Sequence, residues 1–432
     1  MMSEEDRFVV IGAGHAGGRA VEAMRGAGFR GSIALVGAER HLPMERPPLS
    51  KRYLEQPEAG NAPPIRPREW YQDNNVRLLF ANAATAVDAA ARRVVLANGE
   101  TLGYTRLLLA MGGRVRRLPV PGASLANIHT LRSIDDADRI AAGLAKGARL
   151  VIVGGGFIGL EAAAVASGRG ARVIVLEATE RLMSRTALSE VSAIVRARHE
   201  KAGVGVRLRQ SVAAFEGQGS VSGVVLADGE VIACDLVIIG VGIYPDTALA
   251  EAAGLAVDNG IVVDEYARTS HPDIYAAGDV TNHFNPMLGR RVRQESWQNA
   301  QNQAISAARN MCGHEQAHAD IPWSWSEQFD LITECAGTPQ RWARLVTRGD
   351  PALPAVTYFQ LSEEGIVVGV QSVNGGREMK AARRLIGCAP PARVQSSFAS
   401  TRFCFMRLMS RRKVRTSLLL KPLVAISLIS TA

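Results

Sequence analysis

Residues 8–39 and 149–178 each read as an apolar strand, a glycine turn, an Ala-rich helix and a second apolar strand closing on glutamate. This repetition predicts an α/β protein with two Rossmann-like domains, since near-continuous apolar strands belong to parallel sheets buried on both faces. Aromatic residues and alternating strands from Ile321 onward predict a third, small C-terminal α+β domain.

Between the two units, residues 81–113 alternate as β-strands around an Asn98-Gly99 hairpin signal, and residues 223–242 repeat that logic through Asp228-Gly229. Residues 264–280 return to an apolar strand ending at Asp279. Residues 294–313 have helical character, with Gly313 as the cap. VTYFQL (356–361) and GIVVGVQSV (365–373) are strands of the third domain. The expected order is 1–115 and 246–320 as one split domain, 116–245 as an inserted domain, 321–388 as an interface domain, and 389–432 as an atypical tail.

A hydrophobic content of 47% and a charged content of 21% are those of a globular protein. The N-terminus starts acidic and shows no secretory signal, and no apolar run is long enough to span a membrane, so a cytoplasmic location is expected. The net charge of +9 belongs to the tail: residues 389–432 carry Arg393, Arg402, Arg407, Arg411, Arg412, Lys413, Arg415 and Lys421 and no acidic residue. The remaining body is near neutral, which argues against a nucleic-acid partner.

The glycines have the spacing of a phosphate cradle. Gly12, Gly14 and Gly17 follow a strand and open a helix: the first permits the tight turn, the second lets backbone approach a pyrophosphate, and the third lets helix and strand pack closely. Glu39 closes the second strand, where a carboxylate accepts ribose hydroxyls. Gly154, Gly156 and Gly159 with Glu177 repeat the pattern. The acidic Glu177 favours NADH, because a 2′-phosphate would meet a like charge. Ala178 and Thr179 offer no guanidinium, although Arg181 and Arg185 follow within reach.

HLPMERPPLSK (41–51), the paired glycine turns, LEAAAVASGRGARVIVLE (160–177), YAAGDV (275–280) and PWSWSEQF (322–329) together resemble the FAD-containing ferredoxin reductases. These serve Rieske ring-hydroxylating dioxygenases and some bacterial haem monooxygenases, and they have the glutathione-reductase type of fold. The resemblance covers residues 7–387. It implies FAD and NADH as cofactors, a separate [2Fe-2S] ferredoxin as partner, a terminal oxygenase served indirectly, and a monomer or homodimer.

Position by position, the resemblance places Arg46 and Lys51 along FAD, with Lys51 near the flavin's reactive edge. Ala84 would touch the adenine, Arg132 would approach the flavin, and Asp279 would bind the ribityl chain. Trp297, flanked by Glu295 and Ser296, would supply backbone near the pyrimidine end. Cofactor contact extends to Ala13, His15 and Ala16 in the first turn, to Gly155, Phe157 and Ile158 in the second, and to Arg185 and Gly242. Glu161 would sit where nicotinamide meets the ring, paired with Lys51. Trp325, beside Trp323, would cover the flavin edge at the electron exit; the competing reading is an ordinary core tryptophan.

The cysteines narrow the chemistry. Disulfide reductases of this fold need a redox pair beside the flavin, and peroxidase-like members need one N-terminal cysteine. Residues 40–55 contain none, and Cys234, Cys312, Cys335, Cys388 and Cys404 form no CxxC. Electrons would therefore leave the flavin directly. The chain also lacks an iron–sulfur cysteine cluster, so that centre would sit on another protein. Monodehydroascorbate reductase, NADH oxidase and a flavoprotein resembling apoptosis-inducing factor remain the alternatives.

His314-Glu315-Gln316-Ala317-His318 matches HExxH, but it follows Gly313 and runs into Ile321-Pro322, so a metal site is not expected. Three features depart from the family. Met111 stands where the family has threonine, LITECAG (331–337) breaks the alternation and leaves its strand register in doubt, and the sequence past MKAARRLI (379–386) turns basic. A frameshift or fused tail would explain the last.

Overall fold

The computed structural model describes residues 3–59, 62–337, 341–353 and 355–388. Expectations for the 389–432 tail lie outside the described residues.

The first apolar strand, Arg7–Ile11, sits at the centre of a five-stranded parallel sheet. Ser32–Val36 and then Val76–Leu79 flank it on one side, and Arg106–Leu109 and then Ile274–Ala276 on the other. Leu107, Leu108 and Leu109 are fully buried, each contributing about 1.5–3 kcal/mol. The second unit repeats the plan around Arg149–Val153, with Arg172–Glu177 and Gly205–Leu208 on one side and Leu236–Ile239 and Ile128–Thr130 on the other, all parallel.

Each sheet carries a three-stranded antiparallel excursion, Ala84–Asp88 to Thr101–Gly103 in the first and Val212–Glu216 to Val231–Ala233 in the second. Gly99 and Gly229 hold the positive φ that their hairpin turns require. The chain leaves the first unit along Gly113–Val115 and returns along Ile243–Pro245. The two passes pair antiparallel in a ladder that the sequence did not reveal.

The third sheet is antiparallel and five-stranded, in the order Trp323–Gln328, Leu331–Ala336, Val367–Val373, Val356–Leu361, Arg344–Gly349, and the helix Gly376–Arg383 packs behind it. The doubtful LITECAG segment pairs in unbroken register with both neighbours. Its apparent lack of alternation reflects burial of Cys335 and Ala336 in succession, while Ile332 faces outward.

The helix Trp297–Met311 starts at Ser296, whose hydroxyl accepts the Asn299 amide, and it ends before Gly313 at φ +84. The HExxH residues therefore lie beyond a helix end: His314 is exposed and His318 is buried against Asn299. Among the described residues, no helix is long and apolar enough to cross a membrane.

Candidate functional site

A cavity of about 710 Å³ opens at the C-terminal ends of the first sheet's strands. Such a position is where open α/β sheets bind ligands. From the first turn it takes Gly12, Ala13, Gly14, His15 and Ala16, and from the following segments Glu39, Arg46, Lys51, Ala84 and Arg132. Asp279, Glu295, Ser296 and Trp297 close the far wall, and Trp325 reaches in from the third sheet. Phe157, Ile158 and Glu161, from the start of the second unit's helix Phe157–Gly168, complete it.

Gly17, Gly154, Gly155, Gly156, Gly159, Glu177, Arg185 and Gly242 are not among the lining residues. Gly17 packs instead: a Cβ there would lie 1.9 Å from the Gly12 carbonyl oxygen. The others belong to the second turn or to the segments beside it.

The middle glycines differ from their neighbours in what surrounds them. A Cβ on Gly12, at φ +107, would collide with the Ala110 carbonyl oxygen at 2.3 Å. One on Gly14 would meet only Arg46 at 3.7 Å, and one on Gly156 would meet nothing within 4 Å. Protein packing accounts for the outer glycines but leaves the middle ones open for a group from outside.

The charged residues lining the cavity pair across it. Arg46 Nη2 lies 2.5 Å from Glu39 Oε1, and its Nη1 donates to the Arg132 carbonyl at 2.5 Å. Arg132 Nη2 lies 3.5 Å from Asp279 Oδ2. Burial lowers the Arg132 pKa and raises that of Asp279, and in each case the partner's charge opposes the shift. Both ring nitrogens of His15 and the indole nitrogen of Trp297 are buried without partners. Burial, reinforced by the charges of Arg19 and Arg46, lowers the His15 pKa to about 3, so the ring is neutral near neutrality. Size, apolar walls, open glycine and orphaned polar atoms all fit an elongated dinucleotide such as FAD.

Lys51 and Glu161, 110 positions apart in sequence, form the ion pair where the two units meet. Lys51 Nζ lies 2.9 Å from Glu161 Oε2, and the carboxylate is almost wholly buried. Ser50 Oγ donates to the same oxygen at 2.5 Å, and Ser326 Oγ donates to Oε1 at 2.6 Å. The sequence reading missed both serines. Ser50 adjoins Lys51 within ERPPLSK, whereas Ser326 is visible only as the polar alternate of WSWS.

Trp325 touches the other side of this corner, with Lys51 Nζ 6.0 Å from its ring. Trp297 packs edge-on against it at 5.7 Å, and Trp323 stacks on it at 5.0 Å. Arg383 covers Trp323 at 4.8 Å. An aromatic series thus leads from the cavity wall toward the half-exposed Trp323.

At the second turn, Glu177 Oε2 accepts the Gly155 amide at 2.8 Å, and Oε1 accepts the Thr179 amide and hydroxyl, each at 2.8 Å. Arg181 is tied to the carbonyls of Ala187 and Ser184. Arg185 lies beside Gly242, 3.3 Å from where a Cβ on that residue would stand. Cys234, Cys312 and Cys335 are buried and Cys388 half-buried; among the described residues none lines the cavity.

A sheet-end cavity joined by a second, separate glycine cradle defines a two-nucleotide oxidoreductase. The chain belongs to the pyridine nucleotide-disulphide oxidoreductase family, whose model matches residues 6–304. A second model, the reductase C-terminal domain, matches residues 323–398, beyond the point at which the sequence reading ended the resemblance.

Among curated proteins, the chain is 41% identical over 381 residues to the anthranilate 1,2-dioxygenase system ferredoxin–NAD(+) reductase component of Burkholderia cepacia, covering 88% of this chain and 94% of the relative. It is 37% identical to putidaredoxin reductase of Pseudomonas putida, over 89% of this chain and 92% of that one. A solved structure, the ferredoxin reductase for the CYP199A2 system of Rhodopseudomonas palustris, superposes with a TM-score of 0.89 at 34% identity, covering 93% of this chain and 99% of the other. The covalent putidaredoxin reductase–putidaredoxin complex gives 0.86 at 35% identity, over 92% and 98%.

Proposed function

We propose that this protein is an FAD-dependent NADH:ferredoxin reductase serving an aromatic ring-hydroxylating dioxygenase or a monooxygenase. The observation that carries this reading is the Lys51–Glu161 pair at the junction of the two nucleotide units, flanked by tryptophans and, among the described residues, by no cysteine. Similarity to ferredoxin reductases along most of the chain supports it. Residues 1–115 with 246–320 would hold FAD, 116–245 would hold NADH, and 321–388 would face the partner.

When bound, FAD would supply the conversion of a two-electron hydride donor into single-electron steps, so that NADH and two oxidised ferredoxins would give NAD⁺, a proton and two reduced ferredoxins. The residues divide the remaining work. The amides of the first turn and the helix His15–Gly26 would hold the pyrophosphate, Glu39 would accept the ribose hydroxyls, and Asp279 would hold the ribityl hydroxyls. Lys51 sets a positive charge beside the ring, where reduction develops negative charge. Glu161 fixes Lys51 and borders the space for nicotinamide. Glu177 selects NADH, and the commitment of Arg181 to backbone carbonyls leaves less positive charge for a 2′-phosphate. Trp325 and Trp323 carry the exit toward a [2Fe-2S] ferredoxin. The protein acts in the cytoplasm as a monomer or homodimer.

The test is NADH-driven cytochrome c reduction by the FAD-loaded protein, with and without added [2Fe-2S] ferredoxin. Strong dependence on ferredoxin is the expected result. Equal rates without it, with peroxide accumulating, would establish an NADH oxidase instead.

A further inference from the structure

The strand Trp323–Gln328 has two chemically different faces. Trp323 and Trp325 stack on one, while Ser326 and Gln328 share the other at a spacing of two. Ser326 is fully buried. A carboxylate can only accept, so the 2.6 Å contact spends the single Ser326 proton on Glu161 Oε1. From Gln328, whose side-chain nitrogen lies 2.9 Å away, Ser326 can then only accept.

That orientation turns the Gln328 amide oxygen to His199 Nε2 at 2.9 Å, and an amide oxygen also only accepts. The network thus assigns the His199 proton to Nε2. His199 is fully buried on the helix Ser189–Lys201, its Nδ1 is without a partner, and burial lowers its pKa. Three donors in series point one way, from His199 through Gln328 and Ser326 onto Glu161. Aligned bonds of this kind polarise one another.

The arrangement is lopsided at the carboxylate. Oε2 receives both Lys51 and Ser50, whereas Oε1 receives Ser326. Without the Ser326 hydroxyl, a buried carboxylate oxygen would lose its donor and the group would lean further on Lys51.

We propose that Ser326, backed by Gln328 and His199, is a positioning residue that holds Glu161 and takes up part of its charge, leaving more of the Lys51 field for the ring beside it. This rests on the roles given above to Lys51 and Glu161. The third domain then helps build the hydride-accepting corner as well as the exit, with one strand setting both.

The test compares FAD-loaded native, Ser326→Ala, Ser326→Thr and Glu161→Gln proteins by anaerobic stopped-flow reduction with NADH and by the equilibrium midpoint potential of the bound flavin. Ser326→Ala is expected to slow the limiting rate about tenfold, to leave half-saturating NADH within about twofold, and to lower the midpoint potential. Ser326→Thr restores both. Glu161→Gln raises the potential, because it removes the negative charge that Lys51 balances. FAD titration of the apoproteins gives equal affinities.

Native rate and potential in Ser326→Ala, with Glu161→Gln altered, would overturn the proposal and leave the site reading standing. If Glu161→Gln also changes nothing, the roles of Lys51 and Glu161 fall, and the proposal with them. Should Ser326→Thr fail to take up FAD, Gln328→Met must lower rate and potential in the same sense by less. Native values there would overturn the proposal.

Discussion

At the first glycine turn, Glu39 reaches across the cavity to Arg46, whereas at the second, Glu177 folds back onto Gly155 and Thr179. The two turns share a sequence plan and sit in five-stranded parallel sheets that match in four strands, while the fifth strand follows the others in the chain in the first sheet and precedes them in the second. Their helices diverge at matched positions. His15 stands where the second helix has Phe157, and Arg19, paired with Glu22 and Glu45, stands where the second has Glu161. The first helix is thus fixed within its own unit, while the second extends a buried charge into its neighbour. Duplicated scaffolds diverge least in glycine and strand, which the backbone demands, and most at helix positions that face another part of the molecule.

The largest effect should come from filling the space that protein leaves at the middle glycines. Gly14→Val should abolish FAD binding and give a colourless, folded protein. Gly156→Val should keep the yellow colour but raise half-saturating NADH at least about tenfold, about 1.4 kcal/mol. Absorbance spectra and NADH titration read both, and a Gly156→Val protein that loses flavin would break the assignment of the two turns.

Lys51→Ala should slow flavin reduction about 10²-fold, the range for one preorganised charge or donor at developing negative charge. Arg19→Ala, at the helix position matching Glu161, should change the rate little. Stopped-flow traces of both variants decide whether charge at the junction or charge on the helix in general matters.

His15 also separates the turns, because Phe157 cannot titrate. With its pKa lowered from 6.5 to about 3, the folded state binds fewer protons than the unfolded chain between those values. Stability should therefore rise with pH through that window and be lost as pH falls. The contribution is about 2 kcal/mol between about pH 5 and pH 7.5. His15→Phe should remove that share of the slope in urea unfolding of the apoprotein; His283, lowered to about 3 as well, should retain its own.

The smallest effect should be on cofactor choice. Glu177→Gln should narrow the preference for NADH over NADPH by about tenfold, the loss of one like-charge contact. An unchanged ratio of kcat/KM values would shift the discrimination to Arg185.

Much of this molecule was legible from local chemistry. Gly12 and Gly154 appear as turns because a left-handed φ between apolar strand and helix leaves few alternatives, and Gly99 and Gly229 mark hairpins for the same reason. The helix ending before Gly313 announced itself by that terminal glycine, whereas its start at the Ser296 cap did not. The register of Leu331–Ala336 was not legible, because burial of successive residues erased the period of two. The pairing of Gly113–Val115 with Ile243–Pro245 was hidden by the long insertion between them.

The amino-acid order by itself determined two nucleotide folds, their glycine cradles and the lack of a thiol beside the flavin segment, since each depends on residues close in sequence. Only the tertiary structure decided that Ser50 and Ser326 join the Lys51–Glu161 pair in one buried corner, that Arg181 is already engaged, and that His199 stands behind Ser326. Those contacts join segments more than a hundred residues apart, or depend on which backbone carbonyl lies nearest. Such meetings are set by packing of whole sheets and helices, to which no local pattern refers.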